Sequence, residues 1–270
     1  MQNKQNLHVH TTFCDGRDTP EQIISEAISR GFDSIGFSMH SYLTCSTIGI
    51  TPEKVEAYKR EILRLKEKYR GKFDVFLGME YDIYSDCSPL GYDYTLCAVH
   101  YLKTPEGRRT FDVGTEGTLD YVQRYFNGDG MAFARSYYEA LSSAADYGSF
   151  DVIAHIDLVT KNNEKHRFID TDSGEYLEYA FGAIDALKGK IPYFEVNTGA
   201  VARGYRTSPY PERELLQRLK SNGFGALITS DCHDKRFLDY YFDEAREYLA
   251  QLGFKSRFIL TDTGFREVAL

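Results

Sequence analysis

Six of the seven histidines, His8, His10, His40, His100, His155 and His233, fall in or just after short apolar runs of strand-like composition. Two of those runs also deliver carboxylates, Glu80 after Asp74–Met79 and Asp231 after Ala226–Thr229. Imidazole with carboxylate, and no thiolate, is the ligand chemistry of catalytic zinc, manganese or iron rather than of closed structural zinc. His8 and His10 stand two residues apart, a spacing that puts both side chains on one side of a strand. Asp231 and His233 repeat it. Asp15 follows on the loop Thr11-Thr12-Phe13-Cys14-Asp15-Gly16, where Gly16 permits a sharp turn. One histidine at a strand end is ordinarily a hydrogen-bonded structural residue. Six in the same topological place, with carboxylates beside them, point to a metal cluster. His166 falls in a polar loop and needs no explanation beyond solvation.

Such a cluster suits hydrolysis of an anion. Divalent cations neutralise phosphate oxygens, lower the pKa of a bound water and stabilise a departing alkoxide. A carboxylate shared between two cations holds them a few ångströms apart, and Glu80 is the candidate for that position. Competing chemistries lack their signatures: there is no Gly-x-Ser-x-Gly elbow, no GxxxxGK[ST] phosphate loop and no Gly-x-Gly-x-x-Gly fingerprint. The five cysteines, Cys14, Cys45, Cys87, Cys97 and Cys232, form no Cys-x-x-Cys pair and read as free thiols. Cys14 and Cys232 neighbour candidate ligands but are small packing residues on this reading.

For residues so far apart to meet, the strands that carry them must converge, as they do at the carboxyl-terminal face of a parallel α/β barrel. The expected strands are Asn6–His10, Ser34–Ser38, Asp74–Met79, Tyr94–Val99, Asp151–Ala154, Tyr193–Val196 and Ala226–Thr229, with irregular closure through Phe258–Leu260. Thr19-Pro20-Glu21 and Thr51-Pro52-Glu53 each open a helix with a capping hydroxyl, a proline and an acid. The first helix should end near Arg30 before Gly31, and the second near Tyr69 before Gly71. Further helices are expected over Ala134–Tyr147, Gly174–Lys188, Glu212–Ser221 and Asp239–Gln251, with Lys103–Gly130 an active-site loop or short inserted helix. At 270 residues and 42% hydrophobic content the chain fits one such barrel. A net charge of −8 without a basic run disfavours a nucleic-acid binder. No apolar run approaches the roughly 18 residues of a membrane span, and Met1–Asn6 has no signal-peptide character, so a cytoplasmic protein with no membrane partner is expected.

Leu7-His8-Val9-His10-Thr11, Asp15-Gly16, Ser38-Met39-His40, Gly78-Met79-Glu80, Val99-His100, Ala154-His155 and Ser230-Asp231-Cys232-His233 together resemble the polymerase and histidinol phosphatase (PHP) superfamily. The resemblance runs in order from residue 6 to residue 233, and the length and Glu195-Val196-Asn197 are similar to its histidinol-phosphate phosphatase branch. It implies an α/β fold, a distorted (β/α)7 TIM-like barrel, spanning residues 1–270 as a single domain. It implies three divalent metal ions: His8, His10, Glu80 and Asp231 on the first, Glu80 with His100 and His155 on the second, and Asp15, His40 and His233 on the third. Glu80 and Asp231 would be catalytic, a hydroxide bridging two metals the nucleophile, and no phosphoenzyme would form. Met39 departs from the family, which commonly has an acidic residue there. Lys161 and Arg203 follow strand ends and could pair with phosphate oxygens. Asp157 or Glu195 could receive the ammonium and imidazole of histidinol, with a bond from Glu195 to a ligand histidine the alternative for that residue. The implied reaction is hydrolysis of L-histidinol phosphate to L-histidinol and inorganic phosphate in histidine biosynthesis. A PHP-type phosphodiesterase, exonuclease or phosphatase acting on nucleotides would use the same site, but the acidic balance disfavours it. A non-catalytic relative would have lost ligands, and all nine positions are filled here. Oligomeric state carries no expectation.

Overall fold

The computed structural model describes residues 3–270; Met1 and Gln2, at the start of the expected 1–270 domain, lie outside the described residues. The elements follow in the order β1 (Gln5–Asn6), α1 (Pro20–Ser29), β2 (Ser34–His40), α2 (Pro52–Tyr69), β3 (Asp74–Asp82), β4 (Tyr94–Ala98), β5 (Tyr101–Thr104), β6 (Gly107–Thr110), α3 (Thr115–Phe126), α4 (Gly130–Ser142) and β7 (Val152–Ile153). After them come α5 (Asn163–His166), α6 (Gly174–Leu187), β8 (Tyr193–Asn197), α7 (Gly199–Ala202), α8 (Arg213–Ser221), β9 (Gly225–Thr229), α9 (Phe242–Gln251), β10 (Ser256–Thr261) and β11 (Gly264–Ala269). Seven parallel strands pair in the order β1-β2-β3-β4-β7-β8-β9. A parallel bridge between Val9 and Cys232 joins the two ends, giving the expected α/β TIM-like barrel.

The first two helices start where the sequence indicates, although the Thr51 hydroxyl makes no capping bond. Thr19 Oγ1 accepts the Gln22 amide and the Gln22 side chain accepts the Thr19 amide, a reciprocal cap ahead of Pro20. Gly31 takes the left-handed conformation, with φ of 71°, that ends α1. On α2 the buried Tyr58, Ile62 and Leu65 form one stripe, and the Tyr58 hydroxyl donates to the carbonyls of Phe37 and Gly78, tying the helix to β2 and β3.

Alternation along the strands separates two cores. Ile35, Phe37, Met39, Val75, Leu77, Met79, Ile153, Phe194, Val196, Ala226 and Ile228 pack in one cluster with the helices. Phe76, Tyr94, Leu96, Ala98, Val152, Ala154 and Leu227 fill the other, with Leu7 and Leu260. Gly36 and Gly78 exist as glycines because of Tyr94: a Cβ at Gly78 would stand 2.2 Å from the Tyr94 ring. The Tyr94 hydroxyl donates to the Leu7 carbonyl at 2.5 Å.

Several boundaries differ from expectation. The first run is not one strand to His10. The Asn6 side-chain oxygen accepts the His8 amide, a local Asx bond, and Leu7 and Val9 fall in different cores, so the alternation slips between Leu7 and His8. Phe258–Leu260 does not close the barrel: β10 pairs antiparallel with β11. The Gln5 carboxamide ties it to the barrel, donating to the Leu260 carbonyl and accepting the Leu260 amide, as a peptide group would. The 103–130 stretch is an antiparallel hairpin, β5–β6, followed by the 12-residue helix α3, rather than a loop. The helix expected over Ala134–Tyr147 starts earlier, capped by Asp129, and stops at Ser142. The last begins at Phe242, not Asp239, because Tyr241 turns left-handed at φ 65°. Among the described residues no helix is long and apolar enough to cross a membrane.

Candidate metal centre

Every strand end on one face contributes. His8 and His10 follow β1, His40 ends β2, Glu80 lies near the end of β3, and His100 and His155 come two residues after β4 and β7. Asp231 and His233 follow β9, and Glu195 lies in β8. Asp15 arrives from the loop after His10. That loop folds back so tightly that a Cβ at Gly16 would sit 2.5 Å from the His10 carbonyl carbon, so close approach rather than a special dihedral requires the glycine. Asp231 holds a left-handed φ of 47°, sparsely populated by non-glycine residues, and this local strain sits at the site itself.

All nine expected ligands fall into four overlapping groups whose ligand atoms lie within 4.8 Å of one another. The groups are His10, Asp15, His40 and His233; His8, His155 and Asp231; His8, His10 and Glu80; and His40, Glu80 and His100. They do not reproduce the three implied sets member for member, since His10 also joins Asp15, His40 and His233. Glu80 is the hub. Its Oε1 faces His155 Nε2 at 2.9 Å and His8 and His100 Nε2 at 3.3 Å, while its Oε2 faces His40 Nδ1 at 2.7 Å and His10 Nε2 at 3.5 Å. Two oxygens directed at separate sets of imidazoles is what a shared carboxylate requires. Asp231 Oδ1 stands 3.3 Å from His10 and 3.5 Å from His8, and Asp15 Oδ2 stands 3.3 Å from His233 and 3.7 Å from His40.

The donor set fits divalent cations. His8 Nε2, His10 Nε2 and His155 Nδ1 are buried without a hydrogen-bond partner among the described residues, and a buried polar atom left so is costly unless something binds it. Electrostatics agree. Burial would raise Glu80, but His8, His40 and His100 hold its carboxyl well below the usual range. Burial likewise opposes Asp231, and Arg203, His8 and His10 outweigh it. Burial, reinforced by His233 and His40, lowers His10 to about 3, which leaves its imidazole neutral as a ligand must be. His8 goes the other way: burial lowers it, but Glu195, Glu80 and Asp231 together raise it.

The remaining predicted residues divide. Glu195 is fully buried and accepts from His8 Nδ1 at 2.9 Å, from the His155 amide at 2.9 Å, from Asn197 at 2.7 Å and from Thr229 at 2.8 Å. It therefore has the orienting geometry of an outer partner to His8, not that of an open substrate contact. Arg203 donates to Asp231 Oδ2 at 2.8 Å and to its carbonyl at 2.9 Å, and with Arg17 and His233 it lines a cavity of about 150 Å³ beside the cluster. Lys161 is brought near the site but paired, 2.5 Å from Asp112 Oδ1. Asp157 corrects its expectation: it has no exposed surface, binds Arg206 and accepts the Glu212 amide, which leaves it no access to substrate. A larger hollow of about 610 Å³, lined by Thr160, Asn163, Glu164 and Arg167, contains none of the nine ligands.

Some residues at the site escaped the sequence. Asp82 accepts the His100 amide at 2.7 Å and shares the face of Glu80; the two-residue spacing along β3 was the available signal. Cys14 Sγ lies 3.4 Å from His10 Nδ1 and 3.4 Å from Met39 Sδ, so Met39 meets the centre through Cys14 and Thr11.

Comparison with known proteins agrees with this fold. A family model described as the PHP domain matches residues 6–199. The chain is 26% identical over 268 residues to the histidinol-phosphatase of Bacillus subtilis, across 89% of this chain and 97% of that one. It is 29% identical over 236 residues to the DNA polymerase/3'-5' exonuclease PolX of Bacillus subtilis, across 87% of this chain and 35% of that protein. Its fold superposes with a TM-score of 0.76 on the crystal structure of histidinol phosphate phosphatase from Lactococcus lactis complexed with zinc, L-histidinol and phosphate. That match is 21% identical and covers 98% of this chain and 99% of that one.

Proposed function

The chain belongs to the PHP domain family, and from that premise we propose that it hydrolyses L-histidinol phosphate to L-histidinol and inorganic phosphate, as one phosphatase domain over residues 1–270. The observation that carries the reading is the convergence of all nine ligand positions, with orphaned buried donors among them, in a chain aligned over nearly the whole length of a histidinol-phosphatase. Three divalent ions, zinc, manganese or iron, would be held by His8, His10, Asp15, His40, Glu80, His100, His155, Asp231 and His233. When bound, such ions lower the pKa of water and neutralise phosphate oxygens. The chain's own residues do the rest. Glu80 and Asp231 supply fixed negative charge at the centre of the site, and Glu195 holds the His8 ring in one orientation. Arg203, on the rim of the adjoining cavity, is placed to meet a phosphate oxygen in a charge-assisted bond. Lys161 can do the same only by leaving Asp112.

The test is phosphate release from histidinol phosphate beside generic monoesters and a nucleotide 3′ end. Preferential turnover of histidinol phosphate is expected, and Glu80→Ala or Asp231→Ala should reduce it to background while the fold survives. Turnover no faster than that of generic monoesters would overturn the substrate, and faster release from the nucleotide would favour the nuclease chemistry named for PolX. Activity retained in both alanine variants would overturn the metal mechanism.

A further inference from the structure

Composition reads Cys14 as a small packing residue, but its thiol touches a candidate ligand. His8 shows the usual support of such a ligand: its Nε2 faces Glu80 and Asp231, while the Glu195 carboxylate holds its Nδ1 at 2.9 Å. His10 presents the same face, with Nε2 3.5 Å from Glu80 Oε2 and 3.3 Å from Asp231 Oδ1. Its Nδ1, however, meets Cys14 Sγ at 3.4 Å, and Asp15 Oδ1, 3.8 Å away, is beyond hydrogen-bond reach. The thiol is held in turn. Sγ donates to Met39 Sδ at 3.4 Å, and the Thr11 hydroxyl donates to the same sulfur at 3.2 Å. His10, Thr11 and Met39 have no exposed surface. The turn after His10 puts Cys14 there, with the Cys14 and Gly16 amides both donating to the Thr11 carbonyl, at 3.0 and 3.1 Å.

A ring whose Nε2 offers a lone pair to a cation carries its proton on Nδ1. A thiol has one hydrogen, and here Met39 takes it, which leaves Sγ as the acceptor for the ring proton. Resting on the metal-centre reading above, we propose that Cys14 is a positioning residue for His10: Nδ1–H donates to Sγ, Sγ–H donates to Met39 Sδ, and this neutral sulfur pair does for His10 what the Glu195 carboxylate does for His8. The two supports differ in kind. A carboxylate pulls on the ring proton and makes the imidazole a stronger base, whereas sulfur is a weak acceptor that orients the ring without adding charge. Met39, in place of the acidic residue common in the family, gives the thiol its neutral acceptor.

The experiment titrates the full, zinc-loaded chain against a competing chelator as wild type, Cys14→Ala, Cys14→Ser and Met39→Leu, with circular dichroism to establish the fold. Cys14→Ala removes the acceptor, and zinc affinity should fall about 10-fold, the lower end for loss of an outer partner to a ligand. Cys14→Ser keeps a donor and an acceptor and should stay within about threefold of wild type. Met39→Leu keeps the volume and leaves Sγ in place but unanchored, so it should fall between the two. In the 1H–15N spectrum of the zinc-loaded, histidine-labelled chain, one slowly exchanging ring N–H should be present in wild type and Cys14→Ser and absent from Cys14→Ala. Cys14→Ala within twofold of wild type, Cys14→Ser as weak as Cys14→Ala, or the ring N–H retained in Cys14→Ala would overturn the assignment. A wild type that binds no zinc would instead overturn the metal centre, and this proposal with it. Phosphate release by the same loaded wild type judges the phosphatase reading separately.

Discussion

Replacing Glu195 by glutamine tests whether the metal centre depends on a residue that touches no metal. The carboxylate collects donors from His8, the His155 amide, Asn197 and Thr229 and has no exposed surface of its own. Alanine would strand all of them at about 1–3 kcal/mol each, comparable with the stability of a whole domain. Glutamine keeps the volume and one acceptor oxygen but replaces the other with an NH2 group and removes the charge facing His8. The His8 ring is then freed from one orientation and is a poorer ligand. Loss of such an outer partner typically lowers metal affinity 10- to 100-fold, equivalent to about 1.4–2.7 kcal/mol. Titration of the metal-depleted variant against a competing chelator measures this directly, with circular dichroism to establish that the fold persists. Affinity within twofold of wild type, in a folded Glu195→Gln protein, would refute the reasoning.

Chelation should lower Tm: an ion present at 100 times its Kd contributes about 2.7 kcal/mol per site, or about 5–10 °C at roughly 2–4 °C per kcal/mol, recoverable on adding zinc or manganese in a melting experiment. Gly78→Ala places a methyl group against the Tyr94 ring two residues before Glu80; overpacking of about 1–3 kcal/mol should appear as a lower urea midpoint at unchanged m, together with weaker metal binding. Bonds from Arg108, aided by Thr44 and opposed by burial, draw the Asp86 carboxyl down from 3.8 to about 2. A folded pKa below the unfolded one contributes stability that is present above the unfolded value and lost as pH falls through the folded one. The Tm gap between wild type and Asp86→Asn should therefore be largest near neutrality and close as pH falls from 3.8 toward about 2; a constant gap would contradict the pairing.

The nine candidate ligand positions were readable because parallel strands end on one face, so a histidine closing an apolar run already has an address. Helix starts were readable for a local reason: Thr19 and Pro20 act on the backbone within four residues of themselves. What escaped depends on partners distant in sequence. Asp157 follows His155 closely enough to suggest a shared pocket, but Arg206, 49 residues on, takes its charge. Tyr210 pairs with Asn197 at the end of β8 through a bridge that no periodicity announces. The hairpin Tyr101–Thr110 pairs half-exposed residues such as Arg108, so it lacks the apolar contrast that marks a strand. The slip after Leu7 is set by one side-chain bond from Asn6 that composition does not distinguish from a continuing strand.

The bridge between Val9 and Cys232 is the seam of the barrel, and candidate ligands lie on both sides of it. The amide of His10 donates to the Cys232 carbonyl at 2.8 Å and the amide of Cys232 to the His8 carbonyl at 3.0 Å, with His8, His10, Asp231 and His233 flanking those bonds. An ion held by these residues would be gripped from both edges and would be a fastener as well as a reagent: loading it would latch the first strand of the cylinder to the last. Opening of the seam must part those two amide bonds, so the exchange of these two protons with deuterium gauges how firmly the latch is shut.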